Sequence, residues 1–251
     1  MKRMNIPFKR FFLLLLVSFS FFSTLVFNSC KKEIEKINPD FKRDSIMDVD
    51  SNYYHIVKIG QDWWMMENLK TTKYRDGSAI YLAQGDQDWL KDSSSYCIYK
   101  DDKKSPGYLY NWRAVNDSRL LAPDGWHVAT EEDWKHLEIT LGMDFSDLQK
   151  SGWRGNDEGG ELKKEDRKAW LVEPETWATN SSGFSALAGG SRLFNAKWSD
   201  PGLFKAGFWW TATKANSTRA FYRHLDYKTN KIFRDSVSFT SGYSVRCVKN
   251  K

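Results

Sequence analysis

The sequence predicts an α+β domain in which one main amphipathic helix, over about residues 131–141, covers a twisted antiparallel sheet with long irregular loops. Three observations point there. Gly125 to Gly142 carries the start, stripe and stop signals of a helix, short β-branched and aromatic runs lie on both sides of it, and the C-terminal quarter alternates strand with turn.

The chain begins with an address. Lys2, Arg3, Lys9 and Arg10 precede an apolar run from Phe11 to Phe27 that is broken only by Ser and Thr, and no acidic residue occurs before Glu33. A basic segment followed by an apolar one directs export and takes no part in the fold. A membrane-crossing helix is the rival reading, because the run approaches the roughly 20 residues that a span needs. The run closes on Phe27-Asn28-Ser29-Cys30, and a small residue before cysteine resembles a bacterial lipoprotein signal. That resemblance implies loss of residues 1–29 and fatty acylation of Cys30, with Asn28 departing from the usual small or apolar residue. The expected place is the cell envelope, as an outer-membrane lipoprotein whose membrane partner is its own lipid anchor. Residues 30–50 are rich in both signs of charge, include Pro39 and show no apolar period, which reads as a flexible tether before a domain at 51–251. An N-terminal strand within that stretch is the alternative.

Composition bounds the rest. With 251 residues, 41% of them hydrophobic and 16% aromatic, the chain can bury one substantial core. The formal charge is +6, but four of those charges sit in the first ten residues, which leaves +2 for the remainder. Interspersed Lys, Arg, Asp and Glu at near-neutral balance leave no footprint for nucleic acid.

In order, His55 to Gly60 and Gln61 to Lys70 read as strand, turn, strand, with neighbouring Trp63 and Trp64 pointing to opposite faces. Arg75-Asp-Gly-Ser78 has turn composition, Ser95 to Tyr99 is a strand candidate, and Asp101 to Gly107 is a polar loop. In the helix, Thr130 is the N-cap, Asp133 its capping-box partner, and Glu131 and Glu132 place charge on the positive end of the dipole. Trp134, Leu137 and Leu141 form its apolar stripe and Gly142 its stop. Ser151 to Gly160 is glycine-rich without phosphate-loop spacing and reads as a surface loop, while Gly183 to Arg192 reads as a small-residue crossing of close backbones. Gly207 to Thr213, Arg219 to Tyr227 and Ser241 to Val248 are strands, the last with Tyr243, Val245 and Cys247 on one face.

Chemistry is sparse. His55, His127, His136 and His224 show no metal-ligand spacing, and no nucleophile elbow occurs, so neither metal, cofactor nor catalytic residue is expected. Asp200 and Asp226 are the carboxylates nearest to a calcium reading, yet no loop around them offers a run of oxygen ligands. Export permits a disulfide between Cys97 and Cys247, worth about 4–5 kcal/mol on the chain-entropy model; two separate buried thiols are the alternative. All 12 tryptophans follow residue 60, and burial is their usual fate. On an exported domain, rings exposed beside polar loops can stack on sugars, and Trp198, Trp209, Trp210, Asn216 and Arg219 form the candidate ligand-binding set.

Ordered blocks then carry a resemblance. Ile59-Gly-Gln61, Trp64-Met65, Glu67-Asn-Leu-Lys-Thr-Thr-Lys-Tyr74, Leu109-Tyr-Asn-Trp112, Leu121-Ala-Pro123, Gly125-Trp-His-Val128, Gly183-Phe-Ser-Ala-Leu187, Gly189-Gly190, Trp209-Trp-Thr211 and Ser244-Val-Arg-Cys-Val248 are similar to the Fibrobacter succinogenes major paralogous domain. The similarity runs from about residue 55 to the C-terminus and departs from the family at Ala129 and Ala188, where proline is common. It implies a bacterial surface or secreted protein. More loosely, the blocks resemble the formylglycine-generating and C-type-lectin-like group, which implies a C-type-lectin-like fold. Formylglycine generation needs a redox cysteine pair near substrate, and beyond Cys30 only Cys97 and Cys247 are present, in two predicted strands. The leading expectation is a non-enzymatic binding or structural domain whose partner is a polysaccharide or another envelope protein. The alternative is an enzyme of the formylglycine-generating type that acts without a cysteine pair.

Overall fold

A computed structural model describes residues 44–101, 105–166, 168–171, 173, 176–199 and 202–251. The leader, Cys30 and the tether up to residue 43 lie outside the described residues, as does Asp200. Among the described residues no helix is long and apolar enough to cross a membrane.

The fold is α+β. In chain order the strands are β1 (Ser45–Met47), β2 (Tyr53–Ile59), β3 (Asp62–Met65), β4 (Tyr81–Leu82), β5 (Ser95–Cys97), β6 (Leu109–Asn111), β7 (Trp126–Val128), β8 (Gly152–Arg154), β9 (Ala206–Lys214), β10 (Arg219–Asp226), β11 (Ile232–Ser238), β12 (Gly242–Tyr243) and β13 (Cys247–Lys249). The helices are α1 (Asp86–Trp89), α2 (Trp112–Val115), α3 (Glu131–Thr140) and α4 (Glu158–Leu162). Among the described residues three sheets replace the one expected: β1-β2-β3-β13-β7, β8-β11-β10-β9 and β12-β6-β5-β4. Every pairing is antiparallel except β4 with β5.

Two expected boundaries move. The tether does not extend to residue 50, because β1 pairs with β2 and the acids after it organise the entry to the domain. Asp48 accepts hydrogen bonds from the Asn52 amide at 2.9 Å and the Tyr54 hydroxyl at 2.6 Å, and Asp50 accepts from the Thr72 hydroxyl at 2.8 Å. Charge that looks like linker composition is here turn chemistry. The final segment is also two strands rather than one: β12 joins the sheet of β6, and β13 lies between β3 and β7 in another. Tyr243, Val245 and Cys247 nonetheless all bury into one core cluster.

No disulfide joins Cys97 and Cys247. They lie in strands of different sheets, Cys97 packed with Trp89 and Leu109 and Cys247 with Tyr54 and Met65. The expected pairing is therefore not formed; both residues are buried in separate places, and burial pushes the Cys247 thiol far up.

Helix α3 begins where the capping residues place it. The Thr130 hydroxyl accepts from the Asp133 amide at 3.2 Å, and the Asp133 carboxylate accepts from the Thr130 amide at 2.7 Å. Trp134 and Leu137 are fully buried, and Gly142 turns the chain at φ 97°. The Trp134 ring meets Trp64 at 5.4 Å, Phe184 at 5.6 Å and Trp209 at 6.4 Å between ring centroids, so the helix is packed against aromatic side chains from β3 and β9.

A second part of its buried face is ionic. Glu131 and Glu138 are seven residues apart and share a side of the helix. They face arginines from three adjacent strands: Arg223 of β10, Arg234 of β11 and Arg154 of β8. Arg223 donates to Glu138 at 2.6 Å and to Glu131 at 2.8 Å, Arg154 to Glu138 at 2.6 Å, and Arg234 to Glu131 at 2.5 Å. All five side chains are at most 6% exposed. Burial acts to raise the Glu131 carboxyl, but Arg223 and Arg234 outweigh it and hold it below its usual range.

Candidate functional site

The candidate ligand set does not form one surface. Trp209 and Trp210 are fully buried, which removes them as stacking platforms. The Trp209 indole donates to Asn68 Oδ1 at 2.9 Å, an oxygen that also receives the buried Arg246 Nε at 2.8 Å, and the Trp210 indole donates to the Tyr110 carbonyl at 2.8 Å. Asn216 and Arg219 are exposed, but both are committed to their own hairpin. The Asn216 side chain accepts from the Arg219 amide at 3.0 Å, and Arg219 Nε donates to Ser236 at 3.1 Å. Trp198 is half-buried, with its ring 4.9 Å from Tyr99 and 4.7 Å from the Arg192 guanidinium. Of the five residues, Trp198 is the one with an aromatic face on a cleft.

A different cleft, of about 410 Å³, gathers groups the sequence reading passed over. The segment expected to be a glycine-rich surface loop packs against its Trp177 wall, where a Cβ on Gly160 would stand 3.0 Å from the Trp177 carbonyl. That segment instead holds β8 and the start of α4, with Gly159 and Gly160 buried. Both glycine amides donate to the Asn230 carbonyl, at 2.7 and 3.2 Å, and a Cβ on Gly159 would stand 2.5 Å from the carbonyls of Asn230 and Lys231. Only hydrogen fits at that crossing. Asn230 also acts through its side chain, whose Oδ1 accepts the Trp177 amide at 3.2 Å. One residue in the β10–β11 turn thus ties down the helix and the aromatic wall above it.

The walls are aromatic and the base carries an amine. Trp177 is 49% exposed, while Trp170 is buried with its indole donating to the Ala186 carbonyl at 2.8 Å. Thr176 donates to the Tyr227 carbonyl at 2.7 Å, joining the Trp177 segment to the end of β10. Lys163 follows α4 directly, with its Nζ 2.6 Å from the Thr229 carbonyl and 5.3 Å from the Trp170 ring centroid. Its side chain is 2% exposed, and burial pulls the amine down to about 8 against the attraction of Asp226. Glu165 and Asp166 are exposed at the mouth. Among the described residues no group of three or more His, Cys, Asp or Glu is placed to hold a metal ion. The cleft therefore offers one rigid apolar face, an amine and carboxylates at its rim, which suits a ligand with a flat apolar side and a hydroxylated edge.

Another hollow, of about 380 Å³ beside His127, is lined by Leu120, Leu121, Val128 and Trp126, whose ring is buried. His127 spans it by contacts to Asn250 at 2.8 Å and Asp133 at 2.9 Å.

These features define a class: a sheet-rich α+β module with aromatic-rich cores and a tryptophan-walled cleft at the turn between β10 and β11. Within that class, the chain belongs to the Fibrobacter succinogenes major domain family, whose model matches residues 57–249. No curated protein and no solved structure matches the chain.

Proposed function

We propose that the chain is a non-enzymatic cell-envelope module that binds a glycan in the cleft walled by Trp177. The half-exposed Trp177 ring carries this reading. A large apolar side chain left open to solvent is unfavourable by a kcal/mol or more relative to burial, so its retention on a backbone fixed by Asn230 and Thr176 favours a ligand that covers it. The C-type-lectin-like arrangement belongs to the same proposal, supported by the helix after Gly125-Trp-His-Val128 and the C-terminal strand inserted between β3 and β7. So do the address and the anchor. The basic and apolar leader ending at Cys30 supports acylation there and display from the outer membrane, with the charged residues after it as tether.

Affinity electrophoresis of the full chain through gels containing cellulose derivatives, xylan, laminarin, pectin or mannan tests the binding reading. Retardation in at least one gel, lost in Trp177→Ala with an unchanged thermal midpoint, is the expected result. Free migration of the wild-type chain in all of them would refute it. Mass spectrometry tests the anchor, since Cys30→Ser should carry no acyl chain and leave the membrane fraction. The enzymatic alternative draws on one observation, the Lys163 amine lowered towards neutrality inside a cleft, and it requires loss of a turnover in Lys163→Met that binding alone does not predict.

A further inference from the structure

We infer that the glycan site continues past Trp177 into a second aromatic subsite around Phe204 and Trp198, so that the ligand is a chain of several sugar units rather than a single ring. This rests on the glycan reading above and adds to it the class of ligand, a polymer.

The two clefts share a wall. Leu171 lines the first and Phe204 the second, and the Leu171 amide donates to the Phe204 carbonyl at 2.7 Å. A second link runs from the Tyr227 amide, in the first cleft, to the Lys205 carbonyl, in the second, at 2.9 Å. Residues 203–205 are thus the partition, and both sides of it are open: Leu171 is 45% and Phe204 44% exposed. The second cleft has about 630 Å³ and a rigid floor. There the Tyr99 side chain is slotted between Gly190 and Gly202, where added Cβ atoms would approach its ring to 2.4 Å and its hydroxyl to 2.0 Å. Trp198 is clamped between that ring and Arg192, which is itself held by Asp86 at 2.8 Å.

Phe204 is the residue the fold does not explain. Its backbone lies at φ 64°, a region unfavourable for a bulky L residue and natural for Gly or Asn. Its amide and carbonyl are used, by Ala188 at 3.1 Å and by Leu171, but any residue supplies those groups. A phenylalanine there combines strain with solvent exposure and contributes little to a core. A ring that stacks on a ligand accounts for both features, and its position next to Leu171 extends the surface begun by Trp177.

The test uses the polysaccharide that retards the wild-type chain, titrated calorimetrically as its disaccharide and its hexasaccharide. The hexasaccharide is expected to bind more tightly, and Phe204→Asn, which suits the positive φ, should weaken hexasaccharide binding by about two- to tenfold while leaving the disaccharide unchanged. Trp177→Ala should weaken both. Equal affinity of the two lengths for the wild-type chain, a comparison that needs no variant, overturns the inference and leaves the glycan reading standing. A Phe204→Asn protein with wild-type hexasaccharide affinity does the same. If no polysaccharide retards the wild-type chain, both fall together.

Discussion

Replacing Glu138 by Gln is the sharpest test of how helix α3 is attached. The wild-type network holds three guanidinium groups against two carboxylates, all buried, and Glu138 receives bonds of 2.6 Å from both Arg154 and Arg223. Removing its charge leaves three arginines around Glu131 alone, and the amide that replaces it offers one acceptor oxygen where there were two. Removing one partner of a buried ion pair destabilises by about 3–5 kcal/mol, because the remaining charge stays desolvated without compensation. For a domain of this size that corresponds to a fall in thermal midpoint of about 6–20 °C. Glu132→Gln is the control: it sits in the same helix, its pair with Lys135 leaves the glutamate side chain 69% exposed, and its loss should move the midpoint little. Differential scanning calorimetry of the two variants measures the contrast. If Glu138→Gln lowers the midpoint no more than Glu132→Gln, the ionic seam does not hold the helix and the apolar contacts of Trp134 suffice.

Other consequences follow from single contacts. Gly159→Ala would gain about 1 kcal/mol by helix propensity alone, but its methyl group would meet the Asn230 and Lys231 carbonyls at 2.5 Å; the structure therefore predicts net destabilisation by about 1–3 kcal/mol, and a raised midpoint would contradict the crossing. Burial lowers the His224 imidazole, stacked 4.2 Å from Phe208, so the unfolded chain takes up a proton first; that histidine's contribution is complete above about pH 6.5 and declines as pH falls towards its folded value. The bond to Asp133 raises His127, whose contribution is complete below about pH 6.5 and is lost as pH rises through its folded value. Midpoints measured from about pH 5 to 8 should therefore show a shallower acid limb in His224→Gln and a shallower alkaline limb in His127→Gln.

What was legible in the sequence was local. Thr130 and Asp133 are three residues apart, and the stripe of Trp134 and Leu137 repeats within one helix, so α3 could be read without knowing its neighbours. The same holds for the turn at Gly60. The arginines that meet Glu131 lie 92 and 103 residues further along the chain, and a glutamate in a first helical turn looks like a dipole partner when only its neighbours are visible. Gly159 was misread for a similar reason, since the carbonyl that demands a glycine belongs to Asn230. Lys163 gave no local signal either. It is one charged residue in a charged stretch, buried only because the Thr229 carbonyl and Trp170 ring come to it.

The misplacement of Trp209 and Trp210 has a physical cause that applies more widely. Adjacent residues on a strand point to opposite faces, so two neighbouring tryptophans can both be buried only if the sheet is covered on both sides. That is how β9 is placed: Trp209 enters the cluster with Trp64 and Leu137, and Trp210 the one with Tyr110 and Tyr243. Trp63 and Trp64 of β3 divide between the same two clusters. A Trp-Trp pair in a strand is thus a sign of a layer between two cores, and it argues against a surface. Trp177 and Trp198 stand outside the named strands and helices: the Trp177 amide is held by the Asn230 side chain, and Trp198 by an isolated bridge to Arg192. Where no neighbouring layer fully covers a ring, a ligand can stack on it, and the proposed glycan site lies at these two tryptophans for the same reason that it does not lie at the paired ones.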